Sequence, residues 1–154
     1  MKKTILLFLF LLLIINTSAQ NIEEEYVIEE EYVSHKLDIL ETESNKPIVS
    51  DADIRCAIAS TIINEQEYLL ISVPSIMNYT LTIVNKVEKV MDESTKIRMY
   101  QGGERIEGVG TYTANVFFNY DLRKNSEIPE NIYLKLDNSP NYLVFYGIMK
   151  INNP

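Results

Sequence analysis

The chain has no tryptophan, one cysteine and one histidine. A lone Cys56 excludes a disulfide framework within one chain. Together with His35 it also excludes a zinc site built from several Cys and His side chains. After residue 15 no apolar run approaches the roughly 20 residues of a membrane-spanning helix. The chain also lacks the eight regular ten-residue lipid-facing strands of an outer-membrane barrel. No G-x-S-x-G elbow is present, so a serine hydrolase has no nucleophile turn. Gly102-Gly103 is not followed by Lys-Ser/Thr, so it is no phosphate loop. The Cys…Trp…Cys spacing of immunoglobulin domains is absent.

What is present begins with a leader. Lys2 and Lys3 precede an unbroken apolar run from Ile5 to Ile15, then Asn16-Thr17-Ser18-Ala19. This is the three-part layout of a secretory signal peptide, with cleavage expected after Ala19. The run is too short for a good anchor. No Cys sits just after the cleavage point, which argues against a lipoprotein. The expectation is a secreted or periplasmic protein. Its domains are a signal over 1–19, an acidic flexible arm over 20–31 and a single β-rich domain over 32–154, in keeping with a chain of 154 residues.

The charge is unevenly placed. The whole chain carries −8, and loss of residues 1–19 with their two lysines takes it to −10. Residues 20–45 hold nine acids and one base; the remainder is nearly neutral. Nucleic-acid binding needs clustered Lys and Arg and is disfavoured. A basic protein or an envelope component is the more natural partner for the arm. The arm repeats itself: Glu23-Glu24-Glu25-Tyr26-Val27 recurs as Glu29-Glu30-Glu31-Tyr32-Val33. Its six glutamates are the candidate partner-binding residues. They lack the Asp/Asn/Gly spacing of a calcium loop, and no cofactor is indicated.

The body reads as β. Tyr68–Val73 suits a buried strand, and Tyr79, Leu81 and Ile83 share a face of the next. Tyr112, Ala114, Val116, Phe118 and Tyr120 give the clearest alternation in the chain. Ile132–Leu136 and Tyr142–Ile151 follow, and Gln101-Gly102-Gly103 reads as a turn. Seven to nine short strands, with turn signals every 8 to 12 residues, argue for an all-β sandwich or a small barrel, and the antiparallel sandwich is the expectation. The alternative is α+β. Residues 50–64 alternate like a strand, but Ser50 and Asp53 also resemble a helix start followed by Ile54, Ala57, Ile58, Thr61 and Ile62 at helical spacing.

Chemistry-bearing residues are few. Cys56 lies among apolar neighbours and reads as a buried structural thiol rather than the partner of His35 in a nucleophilic dyad. Asp51 and Asp53 are a carboxylate pair that suits a hard cation, a carboxylate-based hydrolase or the first turn of a helix. The strongest feature is tyrosine. All ten lie after the leader, whereas two of the five phenylalanines lie inside it. Tyr79, Tyr112, Tyr120, Tyr142 and Tyr146 are the candidate ligand-binding residues, for a glycan or another small molecule. The expected function is a non-catalytic binding or interaction module.

Overall fold

The computed structural model describes residues 26–106 and 110–151. The leader, Glu23, Glu24 and Glu25 lie outside the described residues. The protein is all-β and antiparallel. The first strands are β1 (Tyr26–Ser34), β2 (Lys36–Glu41), β3 (Pro47–Ala52), β4 (Cys56–Ile63) and β5 (Gln66–Val73). Two long strands follow, β6 (Met77–Val90) and β7 (Thr95–Ile106), then β8 (Gly110–Asp121). After a short 3-10 turn at Leu122–Lys124 come β9 (Asn131–Leu136), β10 (Asn141–Tyr146) and β11 (Met149–Lys150).

The strand reading of residues 50–64 holds over its helical alternative, and two expectations are corrected. Residues 50–64 form no helix: β3 and β4 occupy them, as their β-branched alternation favours. Residues 26–31, expected as part of the flexible arm, are strand instead, paired with β4 apart from a bulge between Ile28 and Glu30. The two-sheet sandwich of seven to nine strands is replaced by one sheet of eleven, ordered β11-β1-β4-β5-β6-β7-β8-β9-β10-β2-β3.

That sheet curls on itself. β1 runs into β2 across His35 alone, and β10 runs into β11 across Gly147-Ile148. Yet β1 and β11 lie at one end of the strand order and β2 and β10 near the other. The register does not change at the junction: Tyr32 pairs with Lys150 and Lys36 with Tyr146. The two ends are therefore halves of one bent ribbon, and the sheet closes into a ring of eight strand positions with β3 hanging from β2. The bend is built locally. Gly147 takes φ +59, which favours glycine, beside the His35 backbone. Tyr146 O accepts from His35 N at 3.2 Å and from Ser34 Oγ at 2.9 Å.

Eight strands leave a ring just wide enough for side chains to fill it. Inward residues form a single core: Cys56 and Ile58, Leu69 and Ile71, Leu81, Ala114, Val116 and Phe118, Ile132 and Leu134, Phe145. A one-residue slip of any strand would turn its set to water, so this core fixes the register. Gly102 and Gly103 are not a turn; they sit mid-strand in β7, opposite Ile83 and Thr82. A Cβ at Gly102 would lie 2.4 Å from Thr82 O, a backbone atom that cannot step aside. Gly102→Ala is expected to lower stability by about 1–3 kcal/mol, the range of core overpacking, read as a lower midpoint in urea unfolding.

Candidate functional site

The two ends of the ring differ. One end is apolar with a tyrosine pair: Tyr79 is buried and meets Tyr112 edge-on, centroids 6.5 Å apart. Tyr112 Oη donates to Glu104. The other end is ionic. It is made where β6 and β7 extend past the apolar core. A register shift between Ile83 and Asn85 precedes Lys86 and Glu88, which pair with the inward-facing Tyr100 and Arg98.

Arg98 is the centre of this end. Its guanidinium donates from Nη1 to Glu30 at 2.6 Å and from Nε to Glu88 at 2.9 Å, and its side chain is only 18% exposed. Burial works against its charge; the Glu88 hydrogen bond and the neighbouring tyrosines outweigh that, and its proton is held more tightly than usual. Glu88 also pairs with Lys96 at 3.2 Å. Next along, Lys86 donates to Glu67 at 2.8 Å and lies 3.6 Å from Glu29. Ser60 Oγ is 3.1 Å from Glu29 and 3.4 Å from Glu67. The ammonium groups of Lys86 and Lys96 also sit over the Tyr100 and Tyr120 rings, at 5.1 and 4.6 Å.

Beneath these ion pairs lie Tyr32, Tyr100 and Tyr120, exposed by 1%, 1% and 3%. Phe118 packs between the first two, with ring centroids 5.8 Å from Tyr32 and 5.2 Å from Tyr100. The three phenols share Arg98 and Glu30 as electrostatic neighbours. Tyr32 and Tyr120 also approach each other, and Tyr100 approaches Arg98, yet none of the three hydroxyls has a hydrogen-bond partner of ordinary geometry among the described residues. Burial, first of all, raises their proton affinity, pushing Tyr120 up to about 12. They are neutral donors throughout the physiological range. A buried hydroxyl without a partner costs about 1–3 kcal/mol. Phenylalanine would fill the same space at no such cost, as Phe118 does beside them. A cavity of about 500 Å³ opens on Val27, Ile62, Asn64 and Glu65. Val27 and Ile62 face each other across β1 and β4, a few residues beyond Glu30 and Ser60.

The outer surface carries a second feature. Val87, Met99, Phe117 and Tyr133 lie in one cross-strand row over β6 to β9, which Val144 continues on β10 as a fully buried side chain. Tyr133 stacks on Tyr142 with centroids 6.1 Å apart. With Phe117, Thr42, Asn45 and Lys135 they line a groove of about 290 Å³. Tyr142 Oη donates to Asn45 Oδ1 at 3.0 Å.

The candidate residues from sequence are thus dispersed. Tyr79 and Tyr112 occupy the apolar end, Tyr120 the ionic end, and Tyr142 and Tyr146 the outer surface, because inward and outward positions alternate along each strand. Of the six glutamates, Glu29 and Glu30 are drawn into the ionic end, and Glu31 lies on β1 opposite Ala59. Asp51 and Asp53 straddle the end of strand β3 rather than opening a helix. Among the described residues no group of three or more His, Cys, Asp or Glu is placed to share a metal. Cys56 is fully buried; desolvation pushes its thiol up to about 11, and Sγ lies 3.7 Å from Ile54 O. At pH 8 the folded protein is expected to react with a thiol reagent at least tenfold more slowly than the urea-unfolded chain.

Sequence reasoning passed over Arg98, Lys86, Lys96, Tyr32 and Tyr100. Their signal was available: Lys86 and Glu88 recur at period two, as do Lys96, Arg98 and Tyr100, and Glu88 faces Arg98 across the hairpin. Comparison with protein-family models, characterised proteins and solved structures finds no match.

Proposed function

We propose that this chain is a non-catalytic binding protein of the cell envelope or extracellular space, which takes a small polar ligand at the ionic end of its ring. The observation that carries this reading is the group of three buried tyrosine hydroxyls around Arg98 and Glu30, none with a hydrogen-bond partner of ordinary geometry among the described residues. Ligand sites favour the mouths of β-barrels and a few convergent polar groups on apolar walls. Phenols that keep their protons are suited to holding a ligand rather than to moving a proton. The test is a thermal-shift screen of small polar compounds on the wild type and on a variant with Tyr32, Tyr100 and Tyr120 all replaced by Phe. Compounds that stabilise the first and not the second support the reading. Equal shifts in both proteins place binding elsewhere.

A second reading, a protein-docking module, is favoured by the outer row from Val87 to Tyr133 and the Tyr133–Tyr142 groove. The acidic repeat contributes less to it than its charge suggests, since Glu29 and Glu30 already face Lys86 and Arg98. Envelope proteins captured by the full chain but not by a Phe117→Ser, Tyr142→Ser variant would support docking there.

A further inference from the structure

The ionic end carries a more specific inference, which rests on the binding reading above. We propose that the ligand is a small organic carboxylate, and that in the free protein Glu30 holds the place on Arg98 that the ligand's carboxylate takes.

The donors decide the class. Tyr32, Tyr100 and Tyr120 each offer an O–H, and Arg98 offers a planar fork of N–H groups. A group that satisfies all of these donors at once must offer several acceptor lone pairs. An ionised carboxylate does so, with about four lone-pair sites on two oxygens. Glu30 supplies one such group and accepts from Arg98 Nη1, while among the described residues the three hydroxyls have no partner of ordinary geometry. A free carboxylate is not tethered to β1 and can accept from Arg98 and from the hydroxyls together. The exchange adds hydrogen bonds without adding buried charge, because one carboxylate replaces another.

Glu30 is placed to leave. It is 21% exposed and sits directly after a bulge that breaks the β1–β4 register between Ile28 and Glu30. Bulges re-aim side chains and gather at barrel rims. Arg98 keeps its second partner, Glu88, when Glu30 swings out. Charge limits the ligand to a single negative charge. Lys86, Lys96 and Arg98 face Glu29, Glu30, Glu67 and Glu88. A monoanion in place of Glu30 leaves that balance as it stands; a dianion makes it worse. Val27 and Ile62, which line an open groove with Asn64 and Glu65 a few residues along β1 and β4, are the apolar side chains on offer to the ligand's carbon body.

The experiment follows thermal unfolding of the protein produced from the full chain. The probes are sodium hexanoate, sodium phosphate and sodium chloride at matched ionic strength, with hexanamide as the neutral isostere. Hexanoate is expected to raise the melting temperature above that in chloride, with phosphate and hexanamide giving little. Glu30→Gln removes the internal competitor's charge and is expected to tighten hexanoate binding about tenfold. The Tyr→Phe triple variant, which keeps side-chain shape, is expected to weaken it at least tenfold. Hexanamide acting as well as hexanoate would overturn the carboxylate assignment and leave the binding site standing. Phosphate acting as well would overturn the monoanion argument. No tightening in a folded Glu30→Gln protein would overturn the role of Glu30. No shift with any probe in wild type and Glu30→Gln would overturn the proposal, and the wider compound screen then decides the binding reading separately.

Discussion

Arg98→Ala is expected to cost about 2–4 kcal/mol of folding stability, somewhat under the usual figure for breaking a fully buried ion pair because this end of the ring is partly open. The loss has three sources. Glu30 is left largely buried without its cation. Glu88 keeps Lys96 and is the more exposed partner, so it suffers less. The Arg98 guanidinium no longer lies over the Tyr120 ring, 5.6 Å from its centroid. The sign for pH follows from the shifts. Glu88 is held below the ordinary carboxylate range, chiefly by its hydrogen bond to Arg98. Its contribution is therefore present above the unfolded pKa and is lost as pH falls through the lowered folded value. The stability gap between wild type and Arg98→Ala should narrow below about pH 4, the ordinary carboxylate range. A double variant, Arg98→Met with Glu30→Met, removes both charges and should recover most of the loss, since apolar replacement of a whole ion pair is often neutral. Urea unfolding of the three proteins at pH 7 and pH 4 checks each step. An Arg98→Ala protein as stable as wild type would show that the ion pairs are ornamental.

Phe118→Ala is expected to be comparably damaging, at about 3–5 kcal/mol. Phe118 is almost wholly buried, and its ring is the surface on which Tyr32 and Tyr100 rest. Each of those ring pairs adds about 0.5–1.5 kcal/mol beyond burial. The ring cannot collapse onto the space, because its neighbours on β7 and β9 are held by ladder bonds on both sides. At roughly 3–5 °C per kcal/mol for a domain of this size, melting should fall by 10 °C or more. Phe118→Leu should cost much less, and a small effect for Ala would mean that the ring is not closed around this core.

Much of the fold is legible from residues with apolar partners. The alternation from Tyr112 to Tyr120 names the inward face of β8, and Tyr79, Leu81 and Ile83 name that of β6. The sequence is least readable where the inward face is charged. Beyond Ile83, β6 continues to Val90 with Lys86 and Glu88 facing Tyr100 and Arg98, so the usual rule of apolar-in inverts. For the same reason the apolar Ile97 and Met99 face outward on β7, while Arg98 and Tyr100 take the core side. Gly102-Gly103 has turn composition, but close approach of β6 and β8 explains it better. Closure of the ring is set by the shared register of two bent ribbons 110 residues apart in sequence, as in Tyr146↔Lys36, and no local pattern records that. The candidate site depends on this closure, since it gathers Glu30 of β1, Arg98 of β7 and Tyr120 of β8.

The central claim is that Tyr32, Tyr100 and Tyr120 hold hydroxyls the free protein does not use. Equilibrium unfolding of the Tyr→Phe triple variant, without added ligand, tests it most directly. The account predicts a protein more stable than wild type by about 1–3 kcal/mol per hydroxyl removed, at most, and a higher midpoint in urea with an unchanged slope. A loss of about 1 kcal/mol per substitution would contradict it, because that is the signature of hydroxyls already hydrogen-bonded in the folded chain.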